Sequence, residues 1–147
     1  MEGKLCLITG ATDGIGKETA KSLAGFNARL ILVGRDQSKG ESVRNELMVQ
    51  TGNDQIDIMT ADLSNMNAIQ KLSAEIHKKY NKLNVLINNA GAFFSKREIT
   101  DDGFEKTFAL NHLGYFLLTK LLLDLIKKGK NPRIINVASG AHIGATL

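Results

Sequence analysis

Apolar runs and helix-patterned stretches alternate along the whole chain. Leu5-Cys6-Leu7-Ile8 is continuously apolar and closed by Thr9-Gly10, the pattern of a strand ending in a turn. Ile15 to Phe26 then carries Ile15, Thr19, Leu23 and Phe26 at helical spacing, with Asn27 as a stop. Leu30 to Val33 is a second apolar run ending in Gly34. Ser38 to Gln50 reads as a helix with Val43, Leu47 and Met48 on one face, closed by Gly52. Ile56 to Met59 is a third strand. Ser64 is the expected N-cap of a helix presenting Ile69, Leu72, Ile76 and Tyr80. Val85 to Ile87 is a fourth strand, stopped by Asn88-Asn89-Ala90-Gly91. A loop through Arg97 to Gly103 leads into a long helix, Phe104 to Lys128, and a fifth strand, Ile134 to Val137.

Strands that are apolar throughout rather than alternating are buried on both faces, which means a parallel sheet flanked by helices. Five such strands joined by helical crossovers predict a doubly wound α/β sheet. The most apolar longer stretch, Phe108 to Ile126, contains Asn111, His112, Gly114, Lys120 and Asp124, and therefore reads as a buried helix rather than a transmembrane span. Met1-Glu2-Gly3-Lys4 does not resemble a secretory leader, so the expected compartment is the cytosol, hence cytoplasmic.

Composition narrows the chemistry. The 147 residues fit one domain, and a chain of that size buries roughly 68–70% of its unfolded surface. A single cysteine, Cys6, excludes a disulfide framework and a structural zinc site, so no metal is expected. The net charge of +4 permits an anionic small ligand without calling for nucleic acid. The basic clusters Lys78-Lys79-Lys82 and Lys127-Lys128-Lys130-Arg133 flank helix ends and lack an aromatic stacking platform. They read as solvated surface.

Ligands of doubly wound sheets bind beyond the carboxyl ends of the strands. The first such end reads Thr9-Gly10-Ala11-Thr12-Asp13-Gly14-Ile15-Gly16. Its glycines allow a tight turn and close approach to a diphosphate, which would meet free N–H groups of the following helix. The spacing G-x-x-x-G-x-G differs from both G-x-G-x-x-G and a Walker loop. A glycine turn with no ligand is the plainer alternative. Arg35 lies nineteen residues past Gly16, at the end of the second strand, where an acid would bind a ribose and an arginine a 2′-phosphate. This favours NADP over NAD, the alternative being a solvated arginine paired with Asp36.

These residues, taken in order, resemble the short-chain dehydrogenase/reductase family over the whole chain. Thr9 to Gly16 is similar to its glycine turn, Asp62-Leu63 to its adenine-contacting pair, and Asn88-Asn89-Ala90-Gly91 to its Asn-Asn-Ala-Gly sequence. Asn111 stands where the family has a helix-borne asparagine, and Ser139 where it has the catalytic serine. Leu32 to Asp36 and Asn136 to His142 most resemble the retinol-dehydrogenase-like branch. The resemblance implies a Rossmann-type sheet of order 3-2-1-4-5, with residues 1–147 as the N-terminal part of one NAD(P)-binding domain. It implies cofactor contacts from Gly10, Thr12, Asp13, Gly14, Ile15, Gly16, Arg35, Asp62, Leu63, Asn89, Ala90 and Gly91. It also implies hydride transfer between the nicotinamide and a small-molecule alcohol or carbonyl, lipophilic by the branch resemblance, with Ser139 and Asn111 as catalytic residues.

The family's Tyr-x-x-x-Lys, which manages the proton, has no counterpart. Four residues past Tyr80 is Asn84, four past Tyr115 is Thr119, and Lys120 is one position too far. The expectation is a truncated form with little activity alone. A catalytically inactive nucleotide-binding or interaction module is the alternative. Asp62 as a capping acid, Asn111 as a satisfied buried amide, and Ser139 with His142 as hydrolase residues are further alternatives. Ala-Ser-Gly is not a G-x-S-x-G elbow, which disfavours the last. A fifth strand without a neighbour would leave an apolar edge, so self-association or a homo-oligomer is expected.

Overall fold

Parallel pairing organises the chain, and the computed structural model describes residues 1–140. The strands β1 (Leu5–Thr9), β2 (Arg29–Gly34), β3 (Ile56–Thr60), β4 (Val85–Asn88) and β5 (Arg133–Asn136) form one sheet. Its order is β3-β2-β1-β4-β5, as the family resemblance implies, and every pairing is parallel. The helices α1 (Gly14–Gly25), α2 (Gln37–Thr51) and α3 (Met66–Lys79) fill the first three crossovers. The last contains a short turn, α4 (Lys106–Phe108), a π-helical turn at Ala109–Leu113, and α5 (Gly114–Lys127).

Two apolar clusters, one on each sheet face, make the double winding visible. Leu7, Ile31 and Leu86 pack with Ile69, Leu72 and Ile76 of α3 and Leu118, Leu122 and Leu125 of α5. Cys6, Ile8, Leu30, Leu32, Val85 and Ile87 pack with Ala20 and Ala24 of α1 and Val43 and Leu47 of α2. Burial also raises the Cys6 thiol pKa to about 11, so at neutral pH it is an unionised core residue.

Several elements differ from the sequence reading. The buried stripe of α1 is Gly16, Ala20 and Ala24, while Ile15 and Phe26 are 69% and 63% exposed. Small residues let this helix lie close to the sheet, so the stripe follows size rather than hydropathy. Asn27 does end the segment, in the left-handed region at φ 55°. Ser64 is not the N-cap of α3. Asn65 is, accepting from the Ala68 N–H at 2.9 Å, because Asp62 already holds the Ser64 hydroxyl at 2.7 Å and its N–H at 2.9 Å. The single long helix predicted from Phe104 is interrupted by the π turn.

Lys106–Lys127 is long and apolar enough to cross a membrane by length and composition. The absence of a spanning segment therefore no longer argues for a cytoplasmic chain. In this fold the segment buries Leu118, Leu122, Leu125 and Ile126. The edge expectation corresponds to β5, where Ile134 and Ile135 are 40% and 47% exposed.

His77 links α3 to α5 and titrates. Its Nδ1 faces the Ser73 carbonyl at 2.8 Å and its Nε2 faces the Asp124 carboxylate at 3.0 Å. Both partners accept, so the imidazolium, with two donors, suits the site best. The Ser73 carbonyl first and Asp124 second raise the His77 pKa, against burial and the Lys128 charge. A pKa raised on folding gives stability that is complete below the unfolded value and lost as pH rises through the folded one. The difference in unfolding free energy between the wild type and His77→Leu should therefore shrink from about pH 6 to about pH 9 in urea melts.

Candidate functional site

The carboxyl ends of β1, β2 and β4 converge on an open cleft of ≈ 460 Å³. Its floor is a hydrogen-bonded junction. The Thr9 hydroxyl accepts from the N–H groups of Asn89 at 2.9 Å and Ala90 at 3.0 Å. The Asn89 amide donates back to the carbonyls of Thr9 at 2.9 Å and Gly10 at 3.2 Å. A Cβ on Gly16 would lie 2.2 Å from the Gly10 oxygen, and one on Gly10 would lie 2.7 Å from Ala90 Cα. Glycine is thus required at both positions by the closeness of β1, α1 and the β4 end.

Gly10, Thr12, Asp13, Gly14, Ile15, Arg35, Leu63, Asn89, Ala90 and Gly91 all line this cleft. Gly16 is buried beneath it. Asp62 is absent from the lining and turns its carboxylate to the Ser64 N–H and hydroxyl in the turn before α3, whose cap is Asn65. Arg35 is exposed, and among the described residues no carboxylate forms an ion pair with it. Asp36 is occupied elsewhere, capping α2 through the Lys39 N–H at 2.9 Å and accepting from the Ser38 hydroxyl at 2.7 Å. These bonds hold the Asp36 carboxyl below the usual carboxylate range.

The sequence reading missed Lys39, which also lines the cleft and pairs with Asp13 across its mouth at 2.7 Å. The available signal was its place in the first turn of the helix that follows Arg35. Val33, Ala61, Ala92 and Leu110 complete the apolar wall.

Asn111 sits in the π turn, and its amide pairs reciprocally with the Ala92 backbone. Its oxygen accepts from the Ala92 N–H at 3.0 Å and its nitrogen donates to the Ala92 carbonyl at 2.9 Å. This holds the segment after Gly91 against the helix beside the cleft. Ser139 stands three residues beyond β5, exposed and outside the cleft lining. His142 lies outside the described residues. Neither tyrosine lines the cleft. Tyr80 is buried at the opposite end of the sheet, donating to Asp57, and burial first and that carboxylate second push its phenol well up. Tyr115 is half-buried on α5.

A glycine turn between a first parallel strand and its helix, an arginine at the next strand end and an Asn-Asn-Ala-Gly floor thus surround one cleft at the carboxyl ends of the strands, where ligands of doubly wound sheets bind. The sequence model of the short chain dehydrogenases matches residues 4–145. The chain belongs to that family. Human retinol dehydrogenase 11 is 46% identical over 142 residues, which cover 97% of this chain and 45% of that protein. Human polyprenol dehydrogenase is 40% identical over 148 residues, with coverages of 98% and 45%. The short-chain dehydrogenase described here therefore spans about half the length of the curated relatives it matches, and it falls in the retinol-dehydrogenase-like branch. Among solved structures, the Pseudomonas aeruginosa RhlG/NADP active-site complex superposes with a TM-score of 0.85 at 28% identity, covering 99% of this chain and 58% of that one.

The Thr9 junction yields a test. Thr9→Val should leave the Asn89 and Ala90 N–H groups without an acceptor and lower the unfolding free energy by about 3 kcal/mol. Thr9→Ser keeps the hydroxyl and should stay within about 1 kcal/mol of the wild type in the same urea titration.

Proposed function

We propose that this chain is the cofactor-binding part of an NADP-dependent oxidoreductase that interconverts an alcohol and a carbonyl. The observation that carries the cofactor preference is Arg35, lining the cleft at the end of β2 with no ion-pair partner among the described residues. Its planar fork suits a 2′-phosphate, whereas a nicotinamide dinucleotide without that group offers it no anionic partner there.

The residues present fit such a cofactor. The Gly10–Gly16 turn leaves the mouth of the cleft free of side chains at Gly10 and Gly14, and the amino end of α1 faces it. Leu63 and Ala61 offer an apolar wall for an adenine ring, and Asn89, Ala90 and Gly91 form the floor towards β5. When bound, the cofactor would supply hydride transfer. The protein's part is to orient and to manage polarity: Asn111 holds the Ala92 backbone, and Ser139 would offer its hydroxyl to the substrate oxygen. The substrate in this reading is a small lipophilic alcohol or aldehyde, a class consistent with relatives named for retinol and polyprenol. The exposed Ile134 and Ile135 of β5, with Phe108 and Phe116 near α5, support self-association.

A second reading, a nucleotide-binding module without catalysis, is favoured by the tyrosines: Tyr80 is committed to Asp57, and Tyr115 lies outside the cleft lining. Fluorescence titration with NADPH, with NADH as control, separates the readings when combined with an assay of retinol-like alcohol turnover. NADPH should bind at least about tenfold more tightly than NADH, a difference near 1.4 kcal/mol, and Arg35→Asp should abolish that preference. Equal affinities, or an unchanged preference in Arg35→Asp, would overturn the NADP assignment. Binding without turnover would support the module.

A further inference from the structure

Lys39 and Asp13 form a device at the mouth of the cleft. Lys39 is anchored through its backbone, whose N–H donates to the capping Asp36 at 2.9 Å. Its side chain crosses from α2 to the residue before α1, where its ammonium donates to Asp13 Oδ2 at 2.7 Å. The other oxygen, Asp13 Oδ1, accepts from the Gly14 N–H at 2.8 Å. Asp13 therefore takes one backbone donor at the start of a helix and one ammonium, the two kinds of donor that a phosphate would seek there.

The neighbourhood makes the arrangement specific. Arg35 and Lys39 are the cationic side chains in the cleft lining. The nearby Lys17 is engaged by Glu46 at 2.7 Å. A Cβ on Gly34 would lie 2.7 Å from the Thr12 side chain, so the end of β2 presses directly on the glycine turn. This contact brings the carriers of Arg35, Lys39 and Asp13 together. Lys39 and Asp13 are both solvent-facing, at 49% and 82% side-chain exposure, and exposed ion pairs are weak and exchange readily.

We propose that Lys39 is a second specificity-determining cation, parked on Asp13 in the free cleft and transferred to a ligand's 2′-phosphate beside Arg35. A phosphate monoester carries about −1.5 to −2 charge at neutral pH, so it outbids a single carboxylate for the ammonium. Lys39 has the flexible four-carbon stem that such a transfer needs, and Arg35 supplies the fixed fork. Asp13 is a positioning residue that keeps Lys39 at the cleft. It also sets a threshold: a ligand without the 2′-phosphate gives Lys39 no reason to leave. Lys39 bonds to Asp13 and Gly14 bonds to it, which together hold the Asp13 carboxyl below its ordinary range and keep it charged.

The inference rests on the NADP reading, and the test separates the two. Isothermal titration of the 147-residue chain uses 2′,5′-ADP and 5′-AMP as probes, with thermal melts confirming that each variant folds. Lys39→Met should weaken 2′,5′-ADP by about tenfold and leave 5′-AMP within about twofold. Lys39→Arg should restore most of the loss. Asp13→Asn keeps an equally good helix cap and frees Lys39, so 2′,5′-ADP should bind about threefold more tightly. A wild type that does not prefer 2′,5′-ADP over 5′-AMP would overturn the NADP reading and this inference with it. A wild type that prefers 2′,5′-ADP, with Lys39→Met unchanged or weakening both probes alike, would overturn this inference alone. Asp13→Asn binding 2′,5′-ADP no better than the wild type would remove Asp13 from the device.

Discussion

The junction between the ends of β1 and β4 is the constraint on which the cleft depends. Strand β1 is joined to β4 by parallel pairing from Cys6 to Ile8, and beyond Ile8 the ladder must end so that the chain can turn into α1. Backbone groups freed at that point are costly if left unpaired. Thr9 and Asn89 satisfy them reciprocally, a hydroxyl accepting two N–H groups and an amide donating to two carbonyls. The exchange draws the two chain segments so close that Gly10 and Gly16 have no room for a Cβ. The glycines at these two positions therefore answer a packing demand first, and the bare floor that suits a dinucleotide follows from it.

The parallel sheet between helical layers was legible because its signal is local, whereas its strand order came only with the family resemblance. Continuously apolar runs at Leu5, Leu30 and Val85 can be satisfied only between two helical layers. Helix faces were less legible. For α1, hydropathy pointed to Ile15 and Phe26, but the helix approaches the sheet through Gly16, Ala20 and Ala24, and close approach selects for small size. The cap of α3 was misplaced by one residue because Asp62 competes for Ser64, a preference no single-residue scale contains. The π turn was invisible for a similar reason. It places Gly114 where a Cβ would be 2.5 Å from the Leu63 carbonyl, a tertiary contact with no periodic signal.

The cleft lining was legible where it follows from local geometry and less so where side chains cross between elements. Glycine spacing placed the turn, and strand-end logic placed Arg35. Lys39 escaped notice because its partner Asp13 is 26 residues away in sequence. Asp62 shows a different effect: its carboxylate bonds Ser64 in the turn before α3, while its neighbours Ala61 and Leu63 line the cleft.

Charge is also divided along the strand axis. At the amino ends of the strands, Arg29, Lys79 and Tyr80 converge on Asp57, and Lys128 lies near the Asp124 that holds His77. Cations in these contacts are already balanced by acids, as expected for helix and strand ends on a solvated surface. At the carboxyl ends Arg35 has no acidic ion-pair partner and Lys39 only the exposed Asp13. The amino end of α1, the Arg35 fork and the Lys39 ammonium thus share one cleft lining, and these are the groups an anion entering it would meet.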